Sequence, residues 1–370
     1  MNNIKLDFPI LDKKIRDKAI TYLDSAASTQ KPKQVINSIS EFLENSYENV
    51  HRGMNSLSID ATDLYEKSRD VAKNFINSNS TNEIIFTRGA TDSINIIANS
   101  LAENLKEGDK IVVTELEHHS NYLPWMNLCK KLGLELKIIP ISKDGILSED
   151  DIINNCDDST KVLSLTHMSN VTGQILDIKK IKKSINKDTY VAVDGCQSIA
   201  HLKIDVKDLD CDFYSFSSHK LYGPSGIGIM YGKEDILNKL NPPTLGGGMI
   251  NEVSSNDFSY AMLPNKFEPG TPSIEAAIGF KTAMEYLNNN NYQDYFLNEK
   301  KLRSTLIKAL REFKEVDIYG SNEDGNATSI VSFNIKNQNF NDIATFLDQY
   351  GIMIRGCLLY TSPSPRDTEV

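Results

Sequence analysis

The chain has 370 residues, 40% hydrophobic and 24% charged, which suits a globular enzyme of one large or two medium domains. A formal net charge of −10 argues against nucleic acid or an anionic membrane as the main partner. No apolar run is long enough to span a bilayer.

The start, Met1-Asn2-Asn3-Ile4-Lys5-Leu6-Asp7, lacks the apolar core of a secretory signal. Residues 20–28 read as a short strand entering a small-residue turn, and Lys31-Pro32 precedes a helix from about Gln34. A polar loop around His51 and Arg52 follows. It either faces an anionic substrate or is simply solvated. After a helix over about 59–76 comes a strand, a tight turn at Arg88-Gly89-Ala90 and a helix opened by Thr91-Asp92. Glycine and small residues there let backbone amides approach an anion, and the helix N-terminus adds partial positive charge. Thr and Asp are also ordinary helix caps.

The strand Lys110-Ile111-Val112-Val113-Thr114 delivers Glu117-His118-His119-Ser120-Asn121. A histidine at a strand end can stack on an aromatic ring or shuttle protons near neutral pH. A metal role for the pair is disfavoured, because adjacent side chains on a strand point apart. Further strands lie at about 137–141, at 162–167 before Asn170, and at 190–194 with Asp194 at the end. His167 reads as a core histidine. Next, Phe213, Ser215 and Ser217 share one strand face while Tyr214 and Phe216 take the other. This strand runs into Ser218-His219-Lys220. Strands alternating with helices over about 60–230 argue an α/β fold with a mostly parallel sheet covered on both faces.

Taken alone, Lys220 reads as a surface lysine after a strand. Asp194 at the end of a neighbouring strand changes that. A pyridoxal phosphate site needs a lysine for the aldehyde and an acid against the pyridine nitrogen. Open α/β sheets hold such ligands at the carboxyl ends of their strands. Beyond 231 the chain carries Gly246-Gly247-Gly248, a turn at Glu268-Pro269-Gly270-Thr271, a helix over about 274–288, a strand at 328–335 and a helix at 340–350.

Asp194-Gly195-Cys196-Gln197 and Ser217-Ser218-His219-Lys220-Leu221-Tyr222-Gly223-Pro224 together resemble the class V aminotransferase family. Within it the chain resembles the SufS-type cysteine desulfurases and the related selenocysteine lyases, over about 22–355. The resemblance implies a pyridoxal-phosphate-dependent transferase of fold type I. An N-terminal segment (1–20) would precede a large cofactor domain (21–285) with a mostly parallel seven-stranded sheet. A small α+β domain (286–355) would follow.

It further implies that Lys220 holds the cofactor aldehyde and that His118 stacks on the ring and exchanges protons. Thr91, Ser217 and His219 bind the cofactor, Thr91 through its phosphate. Asp194 meets the pyridine nitrogen, Gln197 the ring hydroxyl, and Asn170 the ring or substrate. Arg355 takes the substrate carboxylate, and Thr271 reaches the partner's phosphate across a homodimer. The implied reaction converts L-cysteine to L-alanine and passes sulfur as a persulfide to an acceptor of the SufE or SufU kind, for iron–sulfur cluster assembly in the cytoplasm. A selenocysteine lyase or other class V enzyme is the alternative, and a non-catalytic cofactor-binding scaffold is the second.

The chain departs from that pattern after Arg355. Relatives carry a Gly-His-His-Cys-type motif whose cysteine, expected here near Tyr360, holds the persulfide. Here Gly356 leads into Cys357-Leu358-Leu359-Tyr360, and Cys357 stands too close to Arg355. The run from Cys357 to Asp367 resembles one reading frame of a sequencing adapter, so 356–370 read as a non-native tail on a truncated domain. If the tail were real, the chain would bind cofactor and transfer sulfur poorly. Its five cysteines form no CxxC pair, and their scattered placement fits a reducing compartment.

Overall fold

The computed structural model describes residues 4–290, 292–320 and 327–356. Cys357 and the rest of the tail lie outside the described residues. Seven short, buried strands form the central sheet: β1 Ile84–Thr87, β2 Lys110–Thr114, β3 Glu135–Ile139, β4 Thr160–Thr166, β5 Tyr190–Asp194, β6 Phe213–Ser217 and β7 Gly228–Gly232. Their order is β1-β7-β6-β5-β4-β2-β3. Only β7 runs against its neighbours; the ladders from β6 through β3 are parallel.

The period-two alternation of β6 sorts the core into two layers. Tyr214 and Phe216 join Val191, Val193 and Leu165 on one face. Phe213 joins Ala192, Val162 and Val113 on the other. The first face is covered by helices α1 Lys33–Asn45, α2 Ser56–Phe75 and α5 Ile274–Asn289, the second by α3 Ala90–Leu101 and α4 His119–Leu132. Strands buried on both sides are apolar on both, as in the middle of this sheet, whereas edge strand β3 carries the less buried Glu135 and Lys137. Asp194, Ser215 and Ser217 are polar positions that alternation places on the α3–α4 side.

The rest of the chain forms a smaller unit. It contains α6 Tyr292–Leu310, the antiparallel pair Val316–Tyr319 with Ser332–Ile335, and α7 Phe340–Asp348. The strand expected from 328 begins only at Ser332, because Ala327 and Thr328 hydrogen-bond to Gln174 and Gly173 of the large sheet's loops instead. Thr21–Tyr22 pairs in parallel with Ile352–Met353, so this ladder joins the segment just after residue 20 to the smaller unit. Among the described residues, no helix is long and apolar enough to cross a membrane.

One buried ion pair fixes α2 to the sheet. The Arg69 side chain is fully buried and donates to both oxygens of Glu268, at 2.6 and 2.9 Å, and to the Ile84 carbonyl at 2.8 Å. Glu268 also accepts the Phe86 N–H at 2.7 Å and the Tyr65 hydroxyl at 3.1 Å. The carboxylate therefore bolts the turn carrying Gly270 and Thr271 onto β1. Removing one partner of a buried pair leaves an uncompensated charge. Arg69→Met is therefore expected to lower the unfolding free energy by about 3–5 kcal/mol, measured by denaturant titration, and Arg69→Met with Glu268→Leu to recover part of that loss.

Candidate active site

The parallel strands bring their carboxyl ends to one edge of the sheet. Asp194 ends β5 and is 6% exposed; its Oδ1 accepts the Cys196 N–H at 2.9 Å. Beside it, β6 ends at Ser217 and turns at once through Ser218–Lys220. The Ser217 hydroxyl accepts the Ala90 N–H at 2.8 Å, which ties the start of α3 to β6. Gly89 caps α3 without a side chain and sits at φ +145°, which favours glycine. A Cβ on Gly228 would lie 2.6 Å from Gly89 Cα, so β7 and this turn meet backbone to backbone. The result is an uncapped helix N-terminus over the ends of β5 and β6, a site chemically suited to phosphate. Thr91 is exposed on that first turn, with Oγ1 2.7 Å from Ser120 Oγ.

His118 lies within electrostatic reach of both Asp194 and Lys220. The sequence placed it at a strand end, but β2 stops at Thr114 and His118 is the N-cap of α4. Strand alternation therefore does not apply to the histidine pair, whose ring centroids lie 6.2 Å apart. His118 Nδ1 accepts the Ser120 N–H at 3.1 Å, so the proton of the neutral ring sits on Nε2. Burial, then the charge of Lys220, lowers its proton affinity, while Asp194 raises it. One histidine thus responds to both residues picked out in the sequence.

A second layer locks this edge. The Gln197 amide donates to the Ala26 carbonyl at 2.7 Å, so the nitrogen is committed to the 24–28 turn and the oxygen faces elsewhere. The His219 carbonyl accepts from the Thr29 N–H and hydroxyl, both at 2.9 Å, and from Lys31 Nζ at 3.2 Å. Burial, then Lys220 and Lys31, pushes His219 down to about 4, and burial pushes Lys31 down to about 8. Two hydroxyls beneath the turn, on Ser215 and Ser218, are buried without a hydrogen-bond partner.

Other expected residues stand further from this cluster or are otherwise engaged. Asn170 is half-buried in the turn after β4. Thr271 is exposed beyond Gly270, on the turn that Glu268 anchors. Arg355 forks onto both oxygens of Asp24, at 3.1 and 3.3 Å. His51 lies in an exposed loop, with its Nε2 2.8 Å from Glu66 Oε1 and its ring edge-on to Tyr65. Against desolvation, the hydrogen bonds from His51 and Arg69 pull Glu66 down to about 2.

Sequence reasoning gave no role to Glu117 or Tyr214. Glu117 is fully buried and accepts from the Thr114 hydroxyl, the Asn121 amide and the Thr166 N–H, at 2.7, 2.6 and 3.0 Å. Burial pushes its carboxyl up to about 8 against those three donors. Its signal was a lone carboxylate between an apolar strand and two histidines. The Tyr214 hydroxyl lies 3.0 Å from His167 Nδ1 and 2.6 Å from Ser198 Oγ, and its ring covers Gly195 where any Cβ would collide.

A family model described as aminotransferase class-V matches residues 21–362. The chain belongs to the class V aminotransferase family. A Staphylococcus epidermidis (strain RP62A) relative named "Probable cysteine desulfurase" is 44% identical over 94% of this chain and 85% of its own length. The apo structure of a cysteine desulfurase from Thermococcus onnurineus superposes with a TM-score of 0.89 at 33% identity, covering 95% of this chain and 86% of that one. The Escherichia coli cysteine desulfurase CsdA, in S-sulfonic acid form, gives 0.85 at 33% identity over the same shares. The expected α/β class V architecture, with its seven-stranded and mostly parallel sheet, is therefore present.

His167, 6% exposed, is held at about 4 by burial, below the usual histidine value near 6.5. Its folded proton affinity is depressed, so its contribution to stability is complete above about pH 6.5 and is lost as pH falls toward 4. Between those limits the unfolding free energy is expected to drop by up to about 3 kcal/mol. His167→Gln should flatten that slope in urea titrations run across the same range.

Proposed function

We propose that this chain is a pyridoxal-phosphate-dependent cysteine desulfurase that converts L-cysteine to L-alanine and gives up the sulfur as a persulfide. The observation that carries the reading is the joint placement of Asp194 at the end of β5, Lys220 in the turn after β6 and His118 at the N-cap of α4, close enough that both charges act on the imidazole. Membership in the class V family and relatives named for this activity, at 42–44% identity, support it.

The residues present fit the cofactor. An acid sits at the end of a buried strand, a lysine stands in the turn after the neighbouring strand, and a helix N-terminus without a side-chain cap at Gly89 is suited to a phosphate. Bound there, the cofactor supplies an electron sink for the amino acid's Cα. Lys220 Nζ would hold the aldehyde and could carry a proton, and Asp194 would face the pyridine nitrogen. The α3 amides, Thr91, Ser217 and His219 would hold the phosphate, and Gln197 and Asn170 would contact the ring. His118 would stack on the ring, with its Nε2 proton available for exchange. Arg355 would meet the substrate carboxylate by leaving Asp24, and Thr271 would serve the partner's phosphate in a homodimer. The cofactor domain spans 21–285 and the small domain 286–355.

Sulfur transfer needs an accessible thiol of lowered pKa. Burial pushes Cys129 and Cys156 up to about 11, and Cys196 and Cys211 higher still. The accepting thiolate is therefore none of these four. A protein thiol of the SufE or SufU kind receives the sulfur, for iron–sulfur cluster assembly in a reducing cytoplasm.

The test is the full chain loaded with pyridoxal phosphate and given L-cysteine with a reducing thiol, with alanine and sulfide quantified. Lys220→Ala is expected to lose the visible absorbance of the lysine-bound cofactor and to slow alanine formation by about 10²–10⁴-fold. An unchanged spectrum and rate in that variant would overturn the assignment.

A further inference from the structure

We propose, on the cofactor reading given above, that Ser120 is a positioning residue that couples the phosphate turn to His118, so that an anion on α3 changes the proton affinity of the imidazole. Three contacts form the link. The Ser120 N–H donates to His118 Nδ1 at 3.1 Å, Ser120 Oγ lies 3.0 Å from the same nitrogen, and Thr91 Oγ1 lies 2.7 Å from Ser120 Oγ. Ser120 thus stands between the first turn of α3 and the N-cap of α4, touching both.

The direction of each hydroxyl follows from what its neighbour can accept. An imidazole Nδ1 that takes an N–H presents a lone pair and no proton. Ser120 Oγ, 3.0 Å away, then avoids a lone-pair clash by donating its own proton to that nitrogen. Thr91 donates to Ser120 in turn. With the turn empty, every proton in the chain points toward His118 and holds it neutral.

A phosphate or sulfate oxygen is an acceptor and draws the Thr91 proton to itself. Thr91 Oγ1 then accepts from Ser120, which turns a lone pair toward His118 Nδ1. The nitrogen has lost a donor and gained an acceptor, so its protonated form is favoured. Up to protonation only two hydroxyls rotate; a proton taken up at Nδ1 then displaces the bond from the Ser120 N–H. The arrival of the anion thereby keeps His118 protonated to higher pH, in addition to the anion's Coulombic pull. The titratable groups facing His118 are Lys220 from the turn after β6, Asp194 at the end of β5 and His119 of α4 itself. They are the same in a Ser120 variant, so a comparison between variants isolates the hydroxyl link.

The six histidines of the chain allow a direct reading. His118 ring nitrogens are followed by ¹⁵N NMR against pH in the full chain, with and without sulfate, which stays dianionic throughout. In the unsubstituted chain sulfate is expected to raise the His118 pKa. In Ser120→Ala that rise should shrink by about one pH unit, the worth of one hydrogen bond. Ser120→Thr, which keeps the hydroxyl, should restore it. Ser120→Cys, nearly isosteric and a weak hydrogen-bonding group, should behave as the alanine variant does and serves if that variant does not fold. An equal rise in Ser120→Ala and the unsubstituted chain overturns the link, as does a His118 indifferent to sulfate. Failure of the chain to take up pyridoxal phosphate would defeat the cofactor reading alone, because the sulfate titration does not depend on it.

Discussion

The chemistry of this chain depends on a place where two backbones touch. Gly89 closes β1 into α3, and Gly228 opens β7 directly against it. With no Cβ on either, the antiparallel return of β7 can lie between β1 and β6 and still leave the start of α3 above the ends of β6 and β5. The Ser217 hydroxyl then fixes that position by accepting the Ala90 N–H. A helix start with glycine as its N-cap leaves its first amides to partners from outside the helix. Here the first of them finds Ser217, at the end of the strand beside Asp194. The sheet thus supplies the anion site and the acid–amine pair from one geometric decision.

The interior treats its charges in two ways. Arg69 and Glu268 are paired on every face, with backbone and tyrosine partners completing the set. Such a pair has little freedom to respond to anything and serves to hold a turn in place. Glu117 and Asp194 are also buried, and the hydrogen bonds they accept come from neutral donors. Burial pushes the Glu117 carboxyl up to about 8, so it keeps its proton near neutral pH, while Asp194 shares the surroundings of His118 with Lys220. Buried acids of this kind are candidates for sites of chemistry.

Much of this was legible in the sequence because strand periodicity is local. The alternation in Phe213-Tyr214-Ser215-Phe216-Ser217 placed each side chain on the face where it lies, and the ends of two strands named Asp194 and Lys220. What stayed hidden was non-local. Glu117 draws its donors from β2, α4 and the end of β4, which no spacing rule connects. His118 was assigned to a strand because an apolar run preceded it, yet the turn at Glu115 lets α4 begin there and makes the imidazole a cap. Arg355 and Asp24 meet from opposite ends of the chain, and His51 finds Glu66 only once α2 has folded. The late start of the strand at Ser332 has the same origin: Ala327 and Thr328 prefer partners in the large domain.

The parallel ladder between Thr21–Tyr22 and Ile352–Met353 joins segments more than three hundred residues apart. During synthesis, the strand at 21–22 leaves the ribosome early and must wait for its partner, while the sheet from β1 to β7 can close without it. The loop entropy of that delay is modest, since closure cost grows only with the logarithm of length. Its effect on order is larger. The turn at 24–28, which meets Gln197 and His219, follows directly on that ladder. The emerging chain can therefore close the sheet that carries Asp194 and Ser217 before Ile352–Met353 is made and the 24–28 turn gains its support.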